Sequence, residues 1–282
     1  MTRRTKDILK LAVILVGMTA LLVLAFDHRL TVSHYSVETG KVKGPIRLAL
    51  ISDFHGCDYG ENQGQVLSAL EAESPDAVLL CGDIFDDVMP PNNTVELVQR
   101  LGAKYLCYYV SGNHEFWSGQ ADGFKDVLAD CGIAVLEGNS ASLEVNGESI
   151  CIAGIDDPAT DYYPSRAPEY GVQMAALAAQ GDPDIFTLLL SHRPEQAEAL
   201  LSVKAELIVS GHAHGGQWRL PFVLPNGLFA PNQGLFPRHT SGVFDIGGTA
   251  LVVSRGLARE STALPRIFNR PEIVMITVGE RE

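Results

Sequence analysis

Short apolar runs that end abruptly at a polar residue recur along this chain of 282 residues. Each run has the length of a strand that is buried on both faces of a sheet. Five such runs occupy residues 48–52, 77–82, 105–112, 186–191 and 207–211. Asp, Asn or His follows each run directly, so we expect polar side chains to gather where the strands end.

Amphipathic stretches separate these runs, and the alternation of strands and helices predicts an α/β fold. The stretches cover residues 63–73, 93–101, 123–129 and 194–201. Asn93 and Asp122 are expected N-caps, because short polar side chains accept bonds from free helical N–H groups, and Pro194 suits a first helical turn. Three later runs have shorter connections, which indicates added or antiparallel strands and hence a mixed sheet. They span residues 149–153, 242–246 and 249–254.

The polar residues that end the runs form five short motifs rich in metal-ligand types. The motifs are Asp53-Phe-His55, Gly82-Asp83, Gly112-Asn113-His114-Glu115, Ser191-His192 and Gly211-His212-Ala-His214. In an extended strand end, residues two apart point the same way, so each D-x-H or H-x-H pair should deliver two ligands in one direction. Carboxylate, amide and imidazole groups together suit Mn²⁺, Zn²⁺ or Fe. The absence of a cysteine cluster argues against a structural zinc finger.

In their order along the chain, the motifs resemble the calcineurin-like metallophosphoesterase superfamily over residues 46–276. The strings GHAHGGQWRLP and SRGL…FNRPEI are more specifically similar to its membrane-anchored bacterial branch. That branch includes UDP-diacylglucosamine hydrolases of lipid A synthesis and exported phosphoesterases. The resemblance implies a four-layer α/β/β/α sandwich of two mixed sheets. It also implies an enzyme that hydrolyses a phosphodiester or pyrophosphate bond.

The resemblance also implies a dinuclear metal site. The first ion would be held by Asp53, His55 and His214, the second by Asn113, His192 and His212, and both by Asp83. Taken singly, each residue is equally well explained as a helix cap or a buried polar group, so the prediction depends on the whole set. Two divalent ions, with Mn²⁺ favoured and Zn²⁺ or Fe²⁺ as alternatives, would clamp a phosphate and activate water.

Two residues near the ligands are candidates for catalysis. By the resemblance, His114 would protonate the leaving oxygen or stabilise the transition state; a structural hydrogen bond within its loop is the alternative. Asp86 matches the aspartate of the GDxxDR pattern of related phosphoprotein phosphatases and would orient His114, unless it is a solvated loop residue. Asp87 replaces the phosphate-binding arginine of that pattern, which argues against a protein phosphatase. Purple acid phosphatases would have tyrosine at position 86, so a tyrosinate–Fe(III) site is not expected.

Two arginines are candidate ligands for the substrate phosphate. Arg255 directly follows an apolar run, as the predicted metal ligands do, and Arg193 follows His192. A surface salt bridge is the alternative interpretation for each arginine.

Residues 220–238, called the apolar segment below, are unusually apolar for a loop that contains four prolines. We expect a flap that packs on the core. The alternative is a lid or a membrane-facing lip that accepts acyl chains beside the active site.

A basic start and an apolar run form the N-terminus. The basic residues are Arg3, Arg4, Lys6 and Lys10. With Lys10 at its edge, the run over residues 11–26 approaches the ~18–20 residues that a spanning helix needs. We expect residues 1–29 to be a retained single-pass membrane anchor and residues 30–282 to be a phosphoesterase domain. A cleaved signal peptide is the alternative, although no A-x-A site precedes Asp27. The basic start favours a cytoplasmic N-terminus with the catalytic domain outside.

Acidic residues outnumber basic ones, 34 to 21, which gives a formal net charge of −13. Residues 1–29 contain five basic and two acidic side chains, so the remainder has 16 basic and 32 acidic ones and a net charge of −16. This balance argues against a nucleic-acid binder, which needs a basic surface to displace phosphate counterions. The expected partners are a lipid bilayer and a phosphorylated amphiphile or small molecule, and we expect a monomer.

The function expected from the sequence is dinuclear-metal-dependent hydrolysis of a membrane-associated phosphoester, such as a UDP-diacylglucosamine-type lipid A precursor. A phosphodiesterase of cell-envelope polymers or soluble phosphodiesters is the first alternative. A non-catalytic scaffold on the same fold is the second, and the complete ligand set argues against it. No serine or cysteine nucleophile motif is evident, so no phosphoenzyme is expected.

Overall fold

The computed structural model describes residues 2–259 and 265–280. Within them the chain forms seven α-helices and fourteen strands. The helices are α1 (Arg3–Ala25), α2 (Gly64–Glu73), α3 (Asn92–Gly102), α4 (Asn113–Trp117), α5 (Ala121–Asp130), α6 (Tyr170–Ala178) and α7 (Ala197–Leu200). The strands are β1 (Thr31–Glu38), β2 (Ile46–Ile51), β3 (Ala77–Cys81), β4 (Leu106–Val110), β5 (Ala134–Val135), β6 (Asn139–Val145), β7 (Glu148–Gly154), β8 (Phe186–Leu190), β9 (Leu207–Ser210), β10 (Phe229–Ala230), β11 (Gly234–Leu235), β12 (Gly242–Ile246), β13 (Thr249–Val253) and β14 (Glu272–Gly279).

The strands form two six-stranded mixed sheets and one short hairpin. The first sheet has the order β1-β14-β2-β3-β4-β5, and the second has the order β12-β13-β9-β8-β7-β6. In the first, β2 to β5 are parallel, and β14 lies antiparallel to β2 but parallel to β1. In the second, β13, β9, β8 and β7 are parallel, with antiparallel strands at both edges. The predicted α/β class with mixed sheets is confirmed.

The core lies in three apolar layers, which explains why the strand runs are continuously apolar. Successive residues of a strand point to opposite faces. Leu48 of β2 therefore packs between the two sheets, where it joins Ile152 of β7. Its neighbour Ala49 packs on the other face, in the layer that contains Leu70 of α2. A third layer joins the second sheet to α6 and α7. Together these layers give an α/β/β/α sandwich.

Several local predictions need correction. Both predicted N-caps are wrong: α3 begins at Asn92, so Asn93 lies in its first turn and donates to Gly56 O at 2.8 Å. Likewise α5 begins at Ala121, and the Asp122 carboxylate accepts the Ser165 hydroxyl instead. The predicted helix at 194–201 is a short α-helix between two 3₁₀ turns. The late strands β7 and β13 are each antiparallel to one neighbour but parallel to the other.

Helix α1 precedes the sandwich and is hydrogen-bonded to it at its end. Its length and apolar composition are sufficient for a helix that crosses a membrane. Its 23 residues span about 35 Å, slightly more than the ~30 Å of a bilayer's hydrocarbon core. The Phe268 N–H donates to Ala25 O at 2.8 Å, and Arg270 donates to Arg29 O at 2.9 Å. The division into an anchor at 1–29 and a domain at 30–282 stays a prediction; Met1, 260–264 and 281–282 lie outside the described residues.

The apolar segment does not form the predicted core-packing flap. Phe222, at the tip of the segment, is fully exposed. None of the segment's large side chains joins the core layers, although the small side chain of Ala230 does. Four prolines interrupt the segment, and its only strands, β10 and β11, have two residues each. Proline cannot donate to a sheet ladder, so the segment cannot add a continuous strand to the second sheet.

Candidate metal centre

The predicted ligands lie where the backbone turns sharply out of the strands. Five of them have a left-handed backbone, which residues other than glycine rarely adopt. The φ angles are 49° at Asp53, 50° at His55, 51° at Asp83, 63° at His212 and 46° at His214. The prediction that an extended backbone directs each pair is therefore wrong. Such strained conformations persist only when the surrounding structure fixes them, and they concentrate at functional sites.

The first cluster joins both sheets. Asp53, His55, Asp83 and His214 are buried and offer ligand atoms that lie within 4.8 Å of one another. His55 Nε2 is 3.8 Å from Asp83 Oδ2, and His214 Nε2 is 3.5 Å from Asp53 Oδ1. The structure thus brings together the four groups that the sequence predicts around the first ion.

The second cluster shares Asp83 with the first and adds His192 and His212. His192 Nε2 is 3.1 Å from Asp83 Oδ2. The other ring nitrogen of His192 donates to Cys81 O at 2.8 Å, and His212 Nε2 donates to Asn232 Oδ1 at 2.8 Å. These bonds fix the tautomers and leave one lone-pair nitrogen on each ring, as metal-binding histidines require.

Several atoms of the predicted ligands lack the partners that buried polar atoms normally have. Among the described residues, five atoms of the predicted ligands are buried without a hydrogen-bond partner. They are Asp53 Oδ2, His55 Nε2, Asn113 Oδ1, His192 Nε2 and His214 Nδ1. An unpaired buried polar atom is costly, and most are paired in native proteins. Unpaired oxygen and imidazole donors of this kind fit divalent cations.

Backbone amides orient the two carboxylates. Asp53 Oδ1 accepts the His212 N–H, and Asp83 Oδ1 accepts the His114 N–H, each at 2.9 Å. A Cβ on Gly112 would lie only 2.2 Å from Asp83 Oδ1, so a side chain there would displace this carboxylate. The glycine of the GNHE motif therefore provides the space that the shared ligand occupies.

Glu115, the last residue of the GNHE motif, fixes the turn that carries Asp83. It is fully buried, and its carboxylate accepts N–H groups of Gly112, Asp83, Ile84 and Phe85 at 2.8–3.0 Å. Burial and the nearby Asp83 charge raise the pKa of Glu115 to about 7. The GNHE motif contains this residue, but its position in the sequence does not indicate this role.

The charges of the site resemble those of a cation pocket. Burial opposes protonation of His192, but the Asp83 carboxylate outweighs it and raises the pKa of His192 to about 10. A proton on that ring would thus occupy the position that a cation would take. Burial and the charge of His192 lower the pKa of His212 to about 3, so that ring is neutral and available as a ligand.

His114 lies at the rim, half-buried, with a different carboxylate partner from the one predicted. Its ring is perpendicular to that of His55 at 4.5 Å, and its Nδ1 donates to Asp87 Oδ1 at 2.6 Å. Asp86 is 3.5 Å from the same nitrogen but accepts the His55 Nδ1–H at 2.6 Å. Because Asp86 is hydrogen-bonded to the His55 ring, the prediction that Asp86 directly orients His114 needs correction. Asp87, which sequence reasoning noted only as a missing arginine, is the partner.

Both candidate phosphate-binding arginines are paired with carboxylates. Arg193 forms a two-pronged ion pair with Asp157, at 2.6 and 2.8 Å. Arg255 donates to Glu272 Oε2 at 2.6 Å. In this structure both arginines therefore form salt bridges, as the alternative interpretation expects. Phosphate binding by either arginine stays a prediction.

The string SRGL…FNRPEI holds the metal-binding turns in place. Asn269 donates to His214 O at 2.8 Å, and the fully buried Arg266 donates to Ala258 O at 2.6 Å. A Cβ on Gly256 would lie 2.5 Å from Asp53 Oδ2. The described residues on both sides of 260–264 therefore pack around the first cluster.

Two further residues beside the second cluster were missed from the sequence. Asn232, in the apolar segment, accepts from His212, and Glu195 Oε1 lies 3.9 Å from His212 Nε2. Neither residue belongs to a motif. Glu195 lies three residues after His192, and that spacing was the one available signal.

A model of the calcineurin-like phosphoesterase family matches residues 46–216. The metallophosphoesterase YkuE of Bacillus subtilis is 30% identical over 241 residues, which cover 82% of this chain and 78% of that protein. The phosphodiesterase YaeI of Escherichia coli is 25% identical over 218 residues, covering 72% and 70%. A zebrafish transmembrane protein with a metallophosphoesterase domain is 29% identical over 180 residues, covering 61% of this chain but only 41% of that protein. This chain likewise spans 38% of the length of a nematode relative.

Among solved structures, the NAD nucleotidase of Haemophilus influenzae matches with a TM-score of 0.50 at 18% identity, covering 77% of this chain and 46% of that one. At this identity the match concerns the fold alone. The family model covers more than half of the chain, and YkuE matches over most of its length. This protein therefore belongs to the calcineurin-like phosphoesterase family of hydrolases.

Proposed function

We propose that this protein hydrolyses a phosphodiester or pyrophosphate bond with the help of two divalent cations, Mn²⁺ being favoured and Zn²⁺ or Fe²⁺ the alternatives. The observation that carries the proposal is the convergence of unpaired, buried donor atoms on both sides of Asp83. Asp53, His55 and His214 would hold one cation, and Asn113, His192 and His212 the other. When bound, the cations supply Lewis-acid activation of water and of the phosphoryl group.

His114 is the residue best placed for proton transfer. It is only half-buried and borders the first cluster, so a substrate can reach it. Its Nδ1 is engaged by Asp87, which leaves Nε2 to face the leaving oxygen. A proton held on Nε2 can pass to that oxygen as the bond to phosphorus breaks, while the adjacent carboxylate stabilises the charged ring.

Membrane attachment supports an amphiphilic substrate with a phosphate or pyrophosphate group, such as a UDP-diacylglucosamine-type lipid A precursor. Helix α1 can span a bilayer, and the zebrafish relative is named a transmembrane protein. In this proposal the helix is a single-pass anchor, and the catalytic domain lies outside the cytoplasm. YaeI is named a phosphodiesterase, which favours a second candidate, hydrolysis of an envelope polymer or a soluble phosphodiester.

A substrate panel with the full chain in lipid nanodiscs tests this proposal. Bis-p-nitrophenyl phosphate reports phosphodiesterase activity, and UDP-diacylglucosamine reports the lipid-linked reaction. We expect both activities to need Mn²⁺ and to stop with EDTA. Hydrolysis of the soluble diester alone would favour the second candidate, whereas no metal-dependent hydrolysis of either compound would contradict the proposal.

A further inference from the structure

The apolar segment exposes a concentration of large apolar side chains. Those exposed are Leu220, Phe222, Val223, Phe229, Leu235 and Phe236. Phe222 is fully exposed, and Val223 and Phe236 expose 71% and 67% of their surface. Single exposed apolar residues are ordinary, but a contiguous group of this kind marks a binding surface.

The base of the segment lies beside the end of helix α1. The Phe268 N–H donates to Ala25 O at the end of the helix, at 2.8 Å. The preceding residue, Ile267, pairs with Trp218 in a parallel bridge and accepts the Arg219 N–H at 2.9 Å. Since paired strands are about 5 Å apart, Leu220 lies within roughly 20 Å of that helix end. The segment therefore starts next to the point where α1 would leave a bilayer.

The charge of the segment differs from that of the rest of the protein. Residues 220–238 contain no acidic side chain, and Arg219 and Arg238 flank the apolar residues. The chain as a whole has a net charge of −13. An apolar surface beside the exposed Arg238 fits the interface of a membrane with anionic headgroups, whereas the acidic remainder of the protein is repelled from it.

The same segment contacts the metal centre. Asn232 accepts from the ring of His212 at 2.8 Å, and the Leu228 N–H donates to Gly216 O, two residues after His214, at 2.9 Å. A lipid layer against the segment would consequently lie beside the opening of the site.

We propose that the apolar segment inserts shallowly into the bilayer that α1 spans and holds the metal centre at the lipid surface. Phe222, Val223 and Phe236 would enter the headgroup and upper acyl region, with the exposed Arg238 at the phosphates. The segment thereby forms a second membrane contact. Its use for lipid-borne substrates rests on the proposed function, but the contact itself does not.

Site-specific fluorescence of the full chain in nanodiscs tests the contact directly. A bimane label is attached at Phe222→Cys in a Cys131→Ser/Cys151→Ser background, with nanodiscs that contain phosphatidylglycerol and doxyl-labelled phosphatidylcholine. The matched control is a label at Leu106→Cys, which is exposed but lies at the start of β4, the opposite end of the sheet from the metal centre.

We expect doxyl lipid to quench the label at position 222 at least threefold more than the label at 106. Equal quenching at the two positions would overturn the proposal. It would also be overturned by a label at 222 that stays as accessible to aqueous iodide in the nanodisc as the label at 106, since an inserted side chain is shielded from water. Because quenching requires no hydrolysis, it is independent of the substrate panel and can succeed or fail separately.

Discussion

Two of the clusters of buried ionisable side chains among the described residues differ in how their hydrogen bonds are satisfied. In one, Lys125 is 2.9 Å from Asp156 Oδ1 and donates to Glu137 at 2.6 Å. Asp156 also accepts from Ser111 and from Gln173, at 2.5 and 3.0 Å. No side-chain atom of this cluster is buried without a partner.

The metal centre is equally buried but incomplete. In Asp53, His55 and His192, one side-chain atom is hydrogen-bonded, while a second has no partner among the described residues. Because unpaired buried atoms are costly, the complete cluster is explained by folding alone, whereas the unpaired donor atoms gathered in the incomplete one fit a bound cation. The difference indicates which buried polar group is structural and which is functional, and it can be tested at both clusters.

The largest effect is expected from Asp83→Asn, which removes the shared carboxylate. We expect kcat/KM for bis-p-nitrophenyl phosphate to fall about 10³-fold or more, with fewer than two metal ions bound per chain. The metal-free variant should be less stable than the metal-free wild type, because the Asp83 carboxylate is then the partner of the His192 ring. Two bound ions and near-normal kcat/KM in the variant would show that Asp83 is only structural and would remove the contrast between the clusters.

The corresponding change in the complete cluster is Lys125→Met. It leaves Asp156 buried without its cation and should lower the free energy of unfolding by about 3 kcal/mol, measured by urea denaturation. Metal content and kcat of the folded variant should stay at wild-type values. The matched control is Lys104→Met, since the exposed ion pair of Lys104 with Glu71 is screened by solvent and should contribute little to stability. Loss of bound metal in Lys125→Met would contradict the assignment.

His114→Ala tests the residue at the rim of the incomplete cluster. We expect kcat to fall about 10²-fold while two metal ions remain bound, because His114 contributes a proton and no ligand atom. An unchanged kcat would exclude the proton-transfer role. Loss of one metal ion would instead indicate that His114 is a ligand.

The smallest effects separate the two neighbouring aspartates. Asp86→Asn weakens the bond that orients the His55 ring, so metal affinity should fall about 10-fold or more with kcat near normal at saturating Mn²⁺. Asp87→Asn should lower kcat about 10-fold and leave metal affinity unchanged, since its contact is with His114. Each variant is the control for the other, and the reverse pattern would restore the assignment of Asp86 to His114.

The sequence predicts the strands and the site better than the connections between them. Runs such as residues 77–82 are buried on both faces, so composition alone identifies the strand. The order of the motifs, through the family resemblance, predicts the six carboxylate and imidazole residues that the structure brings together, with Asn113 still a prediction. It does not predict how they are directed, because the left-handed turns at Asp53 and His214 depend on contacts with Gly256 and Asn269, distant along the chain.

Other errors have a similar physical origin. The start of α5 depends on tertiary contacts of Asp122 with Ser165 rather than on a local cap. Which of Asp86 and Asp87 is the partner of His114 depends on which of the two carboxylates is hydrogen-bonded to the His55 ring. Sequence spacing does not distinguish between two adjacent residues. The exposure of the apolar segment was unpredictable because an apolar composition suits a core and a lipid surface equally.

The most direct test of the central claim is the number of cations that the incomplete cluster binds. Calorimetric titration of Mn²⁺ into the full chain, after EDTA stripping and dialysis, should give two ions per chain, with phosphodiesterase activity rising as the sites fill. One ion or none, or full activity in excess EDTA, would contradict the claim that these unpaired ligands form a dinuclear catalytic centre.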